Sequence, residues 1–204
     1  MQRALTSFDA TIEAAKLAVD IIKSIRATFA KSPSERKTFE LIELVLATVP
    51  LVQVELNNER ILLELELDET LPPVLADQVQ LQQVLINLLT NAIESVGATE
   101  NRSRHIVIRS TAVRSEGLRL EVSDNGAGIA PEDLDRIFDP FFTTKPTGNG
   151  LGLSLCRIIV EAHGGRLWAS AGEEHGATFH MELPCGGVAG AHHDDLELRG
   201  PLRA

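Results

Sequence analysis

The amino-acid sequence predicts an α+β fold: a two-layer sandwich with helices over one face of a mixed, mostly antiparallel sheet. Three observations carry that expectation. Apolar residues at helical spacing fill "DQVQLQQVLINLLTNAIESV" (Asp77 to Val96) and the stretch from Leu151 to His163. Two-residue alternation marks "RILLELEL" from Arg60, then His105 to Val113 and Leu118 to Asp124, and the closing pair "GRLWAS" and "ATFHMEL". The strands come in adjacent pairs with helices between the pairs, an order that covers one face of a sheet with helices.

Taken in chain order, Thr6 to Lys31 spaces Phe8, Ile12, Leu17, Ile21, Ile25 and Phe29 as one long amphipathic helix, stopped at "SPSER". Its apolar stripe can pack on the chain's own core or pair with a partner helix. Phe39 to Asn57 reads as a helix bent at Pro50, followed by the strand from Arg60. Asp77 is a good N-cap, with Gln80 three residues on, and Val79, Val84, Leu85, Leu88 and Ala92 form the stripe of the helix it opens. The turn containing Gly117 joins a hairpin, and Pro131 with Glu132 and Asp133 starts a short helix. After Pro184 periodicity is lost, and the run reads as a flexible tail in which His192 and His193 lack further ligands for a metal. The expected organisation is a helix and linker over 1–37, a catalytic-sized domain over 38–184 and a tail over 185–204.

Composition narrows the function classes. The chain has 204 residues, 44% of them hydrophobic, which is enough for a substantial core. No unbroken apolar run has the length of a membrane span, and "MQRALTSFDA" has no signal-peptide core. A net charge of −10 supplies no basic footprint for nucleic acid. Cys156 and Cys185 form no CxxC pair, in keeping with a reducing compartment. The reading is a cytoplasmic chain without nucleic-acid or membrane contact, in which any phosphate ligand is captured locally.

Chemistry-bearing residues gather in four pieces. Asn87 and Asn91, four residues apart, share one helical face, where their carboxamides can serve a metal and a phosphate or merely satisfy local backbone groups. "DNGAGI" (Asp124 to Ile129) is a turn directly after a strand, with a carboxylate acceptor and glycines that admit close approach. "FDPFFTTK" ends on Lys145, which can reach an anion or simply lie in solvent. Gly148, Gly150 and Gly152 then precede a helix, so that backbone N–H groups and the positive end of a helix dipole face one place. Neither GxGxxG nor GxxxxGK[ST] is present, so neither standard phosphate loop explains the arrangement.

In order and spacing, "QQVLINLLTNAIESV", "DNGAGI", "FDPFFTTK" and "GNGLGLSL" resemble the N box, first glycine box, F box and second glycine box of sensor histidine kinases, within the wider family of gyrase, Hsp90 and MutL type ATPases. The resemblance spans roughly Phe39 to Pro184, and "FFTTK" with "IVEAHGGRLW" is similar to kinases of the nitrogen-regulation and oxygen-sensing type. It implies a Bergerat ATP-binding fold that takes ATP and Mg²⁺. Asp124 would accept from the adenine amino group, supported by Thr178, with Gly126, Gly128 and Ile129 around the base. Asn91 would hold Mg²⁺, with Asn87 nearby. Gly148, Asn149, Gly150, Leu151 and Gly152 would meet the phosphates. Phe141 and Phe142 would pack down the lid, and Lys145 would pair with the terminal phosphates. Only Pro146 and Thr147 separate Lys145 from Gly148, a short lid.

The hydrolytic branches of that family carry a glutamate four residues before the magnesium asparagine as general base. Asn87 stands there and cannot take a proton, which points to phosphoryl transfer instead. The resemblance places the acceptor histidine on the first helix of a dimerisation hairpin. Thr6 to Lys31 contains no histidine and resembles the second hairpin helix, so the sequence is expected to be the C-terminal part of a longer kinase, possessing a response-regulator receiver domain as partner and able to form a homodimer. His163, at a helix end, is expected to be structural. A serine-directed kinase of the same fold and a nucleotide-sensing scaffold are the alternative functions.

Overall fold

The computed structural model describes residues 35–99, 103–113, 117–145, 148–172 and 175–185. The expected helix over Thr6 to Lys31, the tail with His192 and His193, and Pro146 and Thr147 lie outside the described residues.

Strand β1 (Lys37–Phe39) leads into helix α1 (Leu41–Asn58), whose inner face buries Leu41, Leu44, Val45, Thr48, Val52 and Leu56. The helix runs without a break through Pro50, which sits on the exposed side, where the carbonyl it leaves unbonded can reach water. Thr48 on the inner side donates to Leu44 O at 2.6 Å, so its buried hydroxyl is satisfied within the helix. By length and composition α1 is apolar enough to cross a membrane, at a mean hydropathy of 1.2. Six of its side chains nevertheless pack into the core, and Glu43 and Glu55 interrupt it.

Next come β2 (Leu62–Glu66), β3 (Val74–Ala76) and helix α2 (Gln78–Gly97). Asp77 caps α2 as the sequence suggests, its Oδ1 accepting from Val79 N at 3.0 Å and Gln80 N at 3.2 Å. The expected stripe needs one correction. Val79 is 74% exposed, because it lies off the line of Leu81, Val84, Leu85, Leu88, Leu89, Ala92, Ile93 and Val96 that enters the core.

Strands β4 (His105–Val113) and β5 (Gly117–Asp124) pair antiparallel. Single 3₁₀ turns at Pro131–Asp133 and Arg136–Phe138 follow, then helix α3 (Gly152–Ala162) and strands β6 (Arg166–Ala171) and β7 (Ala177–Pro184). The five-stranded sheet has the order β2-β4-β5-β7-β6, with β2 parallel to β4 and every other pair antiparallel. A separate two-stranded ribbon, β1 with β3, matches Lys37 to Ala76 and Phe39 to Val74. Alternation along β4, β5 and β7 sends Ile106, Ile108, Leu118, Leu120, Val122, Phe179, Met181 and Leu183 into the core under the helices.

The opposite face of the sheet carries a polar lattice. Arg119 bonds Glu182 at 2.6 Å, His180 Nδ1 lies 2.9 Å from Glu121, and Trp168 stacks on His180 at 4.9 Å. The mixed sheet under one layer of helices is the α+β sandwich that the sequence predicts.

His163 joins α2 and α3. It is 5% exposed and stands at the C-cap of α3. Its Nε2 accepts from Asp77 N at 3.1 Å, so the proton is on Nδ1, which donates to Ile159 O at 2.7 Å. The N–H that a capping box would hand to Gln80 thus goes to a histidine from another helix.

Candidate nucleotide site

Three segments converge around the face of α2 that bears Asn87, Asn91, Glu94 and Ser95. At the end of β5, alternation turns Asp124 to the helix side of the sheet, where it is 6% exposed. Ser95 Oγ donates to Asp124 Oδ1 at 2.9 Å and Gly126 N to the same oxygen at 2.8 Å, while the Ala177 N–H also bonds the carboxylate. Burial raises the Asp124 pKa above the usual aspartate value, and these donors and the positive Lys145 act against that rise. The result is a carboxylate fixed in position and thinly solvated, a strong acceptor for a donor that comes with its own base ring. Gly126 passes so close to Ser95 that a Cβ there would meet Ser95 Oγ at 2.1 Å, which is why the turn can tuck against α2. Asn125 pins the turn from outside, accepting from His105 N at 2.9 Å and donating to Ser103 O at 2.6 Å. Gly128 and Ile129 follow, with Ile129 partly buried against the core.

The second segment is the run before α3. Gly150 has φ +64°, and a Cβ on it would lie 2.4 Å from the Phe141 carbonyl carbon; Phe141 N in turn donates to Gly150 O at 2.8 Å. Only glycine fits, and the contact holds the two stems of the lid together. The bond Leu155 N to Leu151 O opens α3, so the N–H groups of its first turn have no intrahelical partner and present a positive helix end beside Gly148, Asn149, Gly150, Leu151 and Gly152.

The third is the lid stem itself. Lys145 Nζ donates to Asn91 Oδ1 at 3.0 Å and pairs with Glu94 Oε2. The aromatic packing differs from expectation. Phe141 is 69% exposed, at φ +67°, and does not pack the lid down. Phe138 is the anchor: it is 3% exposed, edge-on to Phe179 at 6.4 Å, with the Arg157 guanidinium 4.0 Å over its ring. Phe142 is half-buried beneath Arg136 at 4.6 Å.

Thr178 falls outside the site, and Asn87 lies at its edge, beside Gly152. Thr178 pairs in register with Ser123, and their hydroxyls bond at 2.9 Å on the sheet face opposite Asp124, so Ala177 and not Thr178 stands on the carboxylate's side. Asn87 is turned toward α3: its Nδ2 donates to Cys156 Sγ at 3.0 Å and its amide packs against Gly152. Together with Gln83, Ile86, Leu155 and Ile159 it lines a groove between α2 and α3. Burial pushes the Cys156 thiol up to about 12, against the effect of Asn87, so it is an un-ionised donor or acceptor and not a nucleophile. Glu94 and Ser95 are site residues not singled out in the sequence; their one signal was spacing, since they lie three and four residues beyond Asn91 on the same helical face. Among the described residues no group of three or more His, Cys, Asp or Glu is placed to hold a metal.

The model of the family "Histidine kinase-, DNA gyrase B-, and HSP90-like ATPase" matches residues 76–187, and the chain belongs to that family. It is 38% identical over 179 residues to the sensor protein FixL of Bradyrhizobium diazoefficiens, covering 88% of this chain and 35% of the relative. Full-length ShkA in complex with AMPPNP superposes with a TM-score of 0.75 at 25% identity, over 90% of this chain and 38% of that one. The histidine kinase ThkA, in complex with the response regulator protein TrrA, superposes with a TM-score of 0.70 at 34% identity, over 85% of this chain and 48% of that one. The chain thus spans about a third of the length of the FixL relative.

Proposed function

We propose that this chain carries the ATP-binding catalytic domain of a two-component sensor histidine kinase, transferring the γ-phosphoryl group of ATP to a histidine on a dimerisation helix that this sequence does not contain. The observation that carries the reading is the convergence, on one face of α2, of a buried carboxylate at Asp124, an amide oxygen at Asn91 and the glycine-lined start of α3. Asp124 reads the adenine amino group, with Gly126, Gly128 and Ile129 flanking the base. The first-turn N–H groups of α3 and the backbone from Gly148 to Gly152 take the phosphates. Thr178 stands outside this set.

Asn91 is the residue that would hold magnesium. The donor fits: it is a hard amide oxygen, and its Oδ1 already faces a cation, the Lys145 ammonium. Bound there, the metal would supply charge neutralisation for the phosphates. Asn87, bonded to Cys156, offers no base for water, in keeping with transfer to another group rather than rapid hydrolysis. His163 is committed on both ring nitrogens to core contacts, and His180 lies between Glu121 and Ser170, so neither is a suitable acceptor. The complex of ThkA with a response regulator supports a receiver domain as this chain's partner, and the apolar spacing of Thr6 to Lys31 in the sequence is the basis for proposing a homodimer. Cytoplasmic location and domain limits near residues 38 and 184 complete the proposal.

Calorimetry on the full chain tests it. Mg-ATP and Mg-ADP should bind in the micromolar range, and GTP much more weakly, because guanine presents a carbonyl where Asp124 needs a donor. Equal affinities for ATP and GTP would refute the assignment.

A further inference from the structure

Asn91 and Glu94 lie three residues apart on α2, one turn along the same face, and a single ammonium sits on both: Lys145 Nζ is 3.0 Å from Asn91 Oδ1 and paired with Glu94 Oε2. The Lys145 backbone is held separately. Its N–H donates to Thr143 Oγ1 at 3.1 Å, and its carbonyl accepts from Gly148 N at 3.3 Å. The side chain is a flexible four-carbon stem on a fixed base, so the ammonium can move while the turn stays in place. A divalent cation on Asn91 Oδ1 would need the lone pairs that the ammonium uses, and two positive charges do not share that point.

We infer that Lys145 is a resident counter-cation of the metal face of α2 and that Glu94 is the positioning residue that keeps it there, restraining magnesium-nucleotide binding until metal and phosphates draw the ammonium away. The inference rests on the assignment of Asn91 as the metal ligand, and it adds a role for Glu94 and a sign for its effect. With Glu94 present, each binding event must break the Lys145–Glu94 pair and leave a carboxylate one turn from the metal ligand. With Glu94 neutralised, Lys145 keeps only uncharged acceptors such as Asn91 Oδ1 and is more readily drawn to the phosphates. Both side chains are about half exposed, 42% for Lys145 and 52% for Glu94, so the effect is that of a solvated pair, about 1.5- to 5-fold in affinity.

Two measurements on the full chain decide it. In nucleotide-free, EDTA-treated protein, acylation of the Lys145 amine followed by peptide mass spectrometry should be faster in Glu94→Gln than in the wild type. Lys37, paired with Glu35 far from the site, serves as the internal reference. Unchanged Lys145 reactivity would overturn the inference. Second, calorimetry with magnesium and AMPPNP should show Glu94→Gln binding about 1.5- to 5-fold more tightly and Lys145→Met binding more weakly, with the Glu94→Gln gain lost in the double variant. A gain that persists at full size in the Lys145→Met background would mean that Glu94 simply repels phosphates, which also overturns the inference. If the wild type bound no AMPPNP, the assignment of the site would fail, while the acylation comparison would still decide whether Glu94 restrains Lys145.

Discussion

Replacing Ser95 by alanine removes one of the donors that hold Asp124 and leaves the rest of α2 untouched. In the structure, Ser95 Oγ lies 2.9 Å from Asp124 Oδ1, and Gly126 N shares that oxygen at 2.8 Å. A hydrogen bond to a charged group contributes about 1.5–3 kcal/mol. Ser95 is half-buried, so water can partly replace the hydroxyl, and about 1–2 kcal/mol is the expected loss of stability at neutral pH. The sign of its pH dependence follows from linkage. Burial already raises the Asp124 pKa in the folded protein, and Ser95 acts to lower it. The substitution moves it further up, so the stability difference between wild type and variant is fully present above the variant's folded pKa and disappears as pH falls through the wild-type one. Adenine needs the ionised carboxylate as acceptor, so ADP affinity should fall in Ser95→Ala and its acid limb should move to higher pH. Thermal denaturation across pH, paired with ADP calorimetry, reads both effects. A variant with wild-type ADP affinity and an unshifted acid limb would refute the view that Ser95 sets the state of Asp124.

Other perturbations separate the remaining parts of the site. Asn91→Ala should abolish the gain in ATP affinity on adding magnesium while leaving the melting temperature close to that of the wild type; an unchanged magnesium gain, measured by calorimetry, would remove Asn91 as ligand. Phe138→Ala should destabilise the fold by about 3–5 kcal/mol in urea denaturation, whereas Phe141→Ala should stay within about 0.5 kcal/mol. Equal losses would contradict the assignment of Phe138 as the buried anchor of this segment.

Much of this was legible from local pattern. The alternation of β4, β5 and β7 and the stripe of α2 are properties of contiguous residues, and the four boxes are short runs whose order is visible without a fold. What escaped depends on neighbours distant in sequence. The β1–β3 ribbon consists of two three-residue strands whose partners, such as Lys37 and Ala76, are far apart along the chain. Nothing in either strand alone marks it. Thr178 looks equivalent to Ala177 in a string, yet the two-residue period of a strand puts them on opposite faces, and only the register with Ser123 and Asp124 shows which side counts. Ser95 acquires meaning only when the end of β5 is brought against α2. Phe138 and Phe141 are chemically identical, and a left-handed backbone at Phe141 decides which of them is turned outward.

The central claim is phosphoryl transfer from a nucleotide held by this chain to a histidine elsewhere. Its most direct measurement uses ATP labelled at the γ-phosphate and a kinase polypeptide that carries the dimerisation helices and an acceptor histidine but has its own ATP site disabled. Mixed with this chain, that partner should acquire acid-labile, base-stable phosphate on its histidine, because pairing of the helices brings the acceptor to the bound nucleotide. Asp124→Asn in this chain should abolish the labelling. Label appearing instead on this chain alone, at His163 or His175, would contradict the account and move the acceptor into the domain itself.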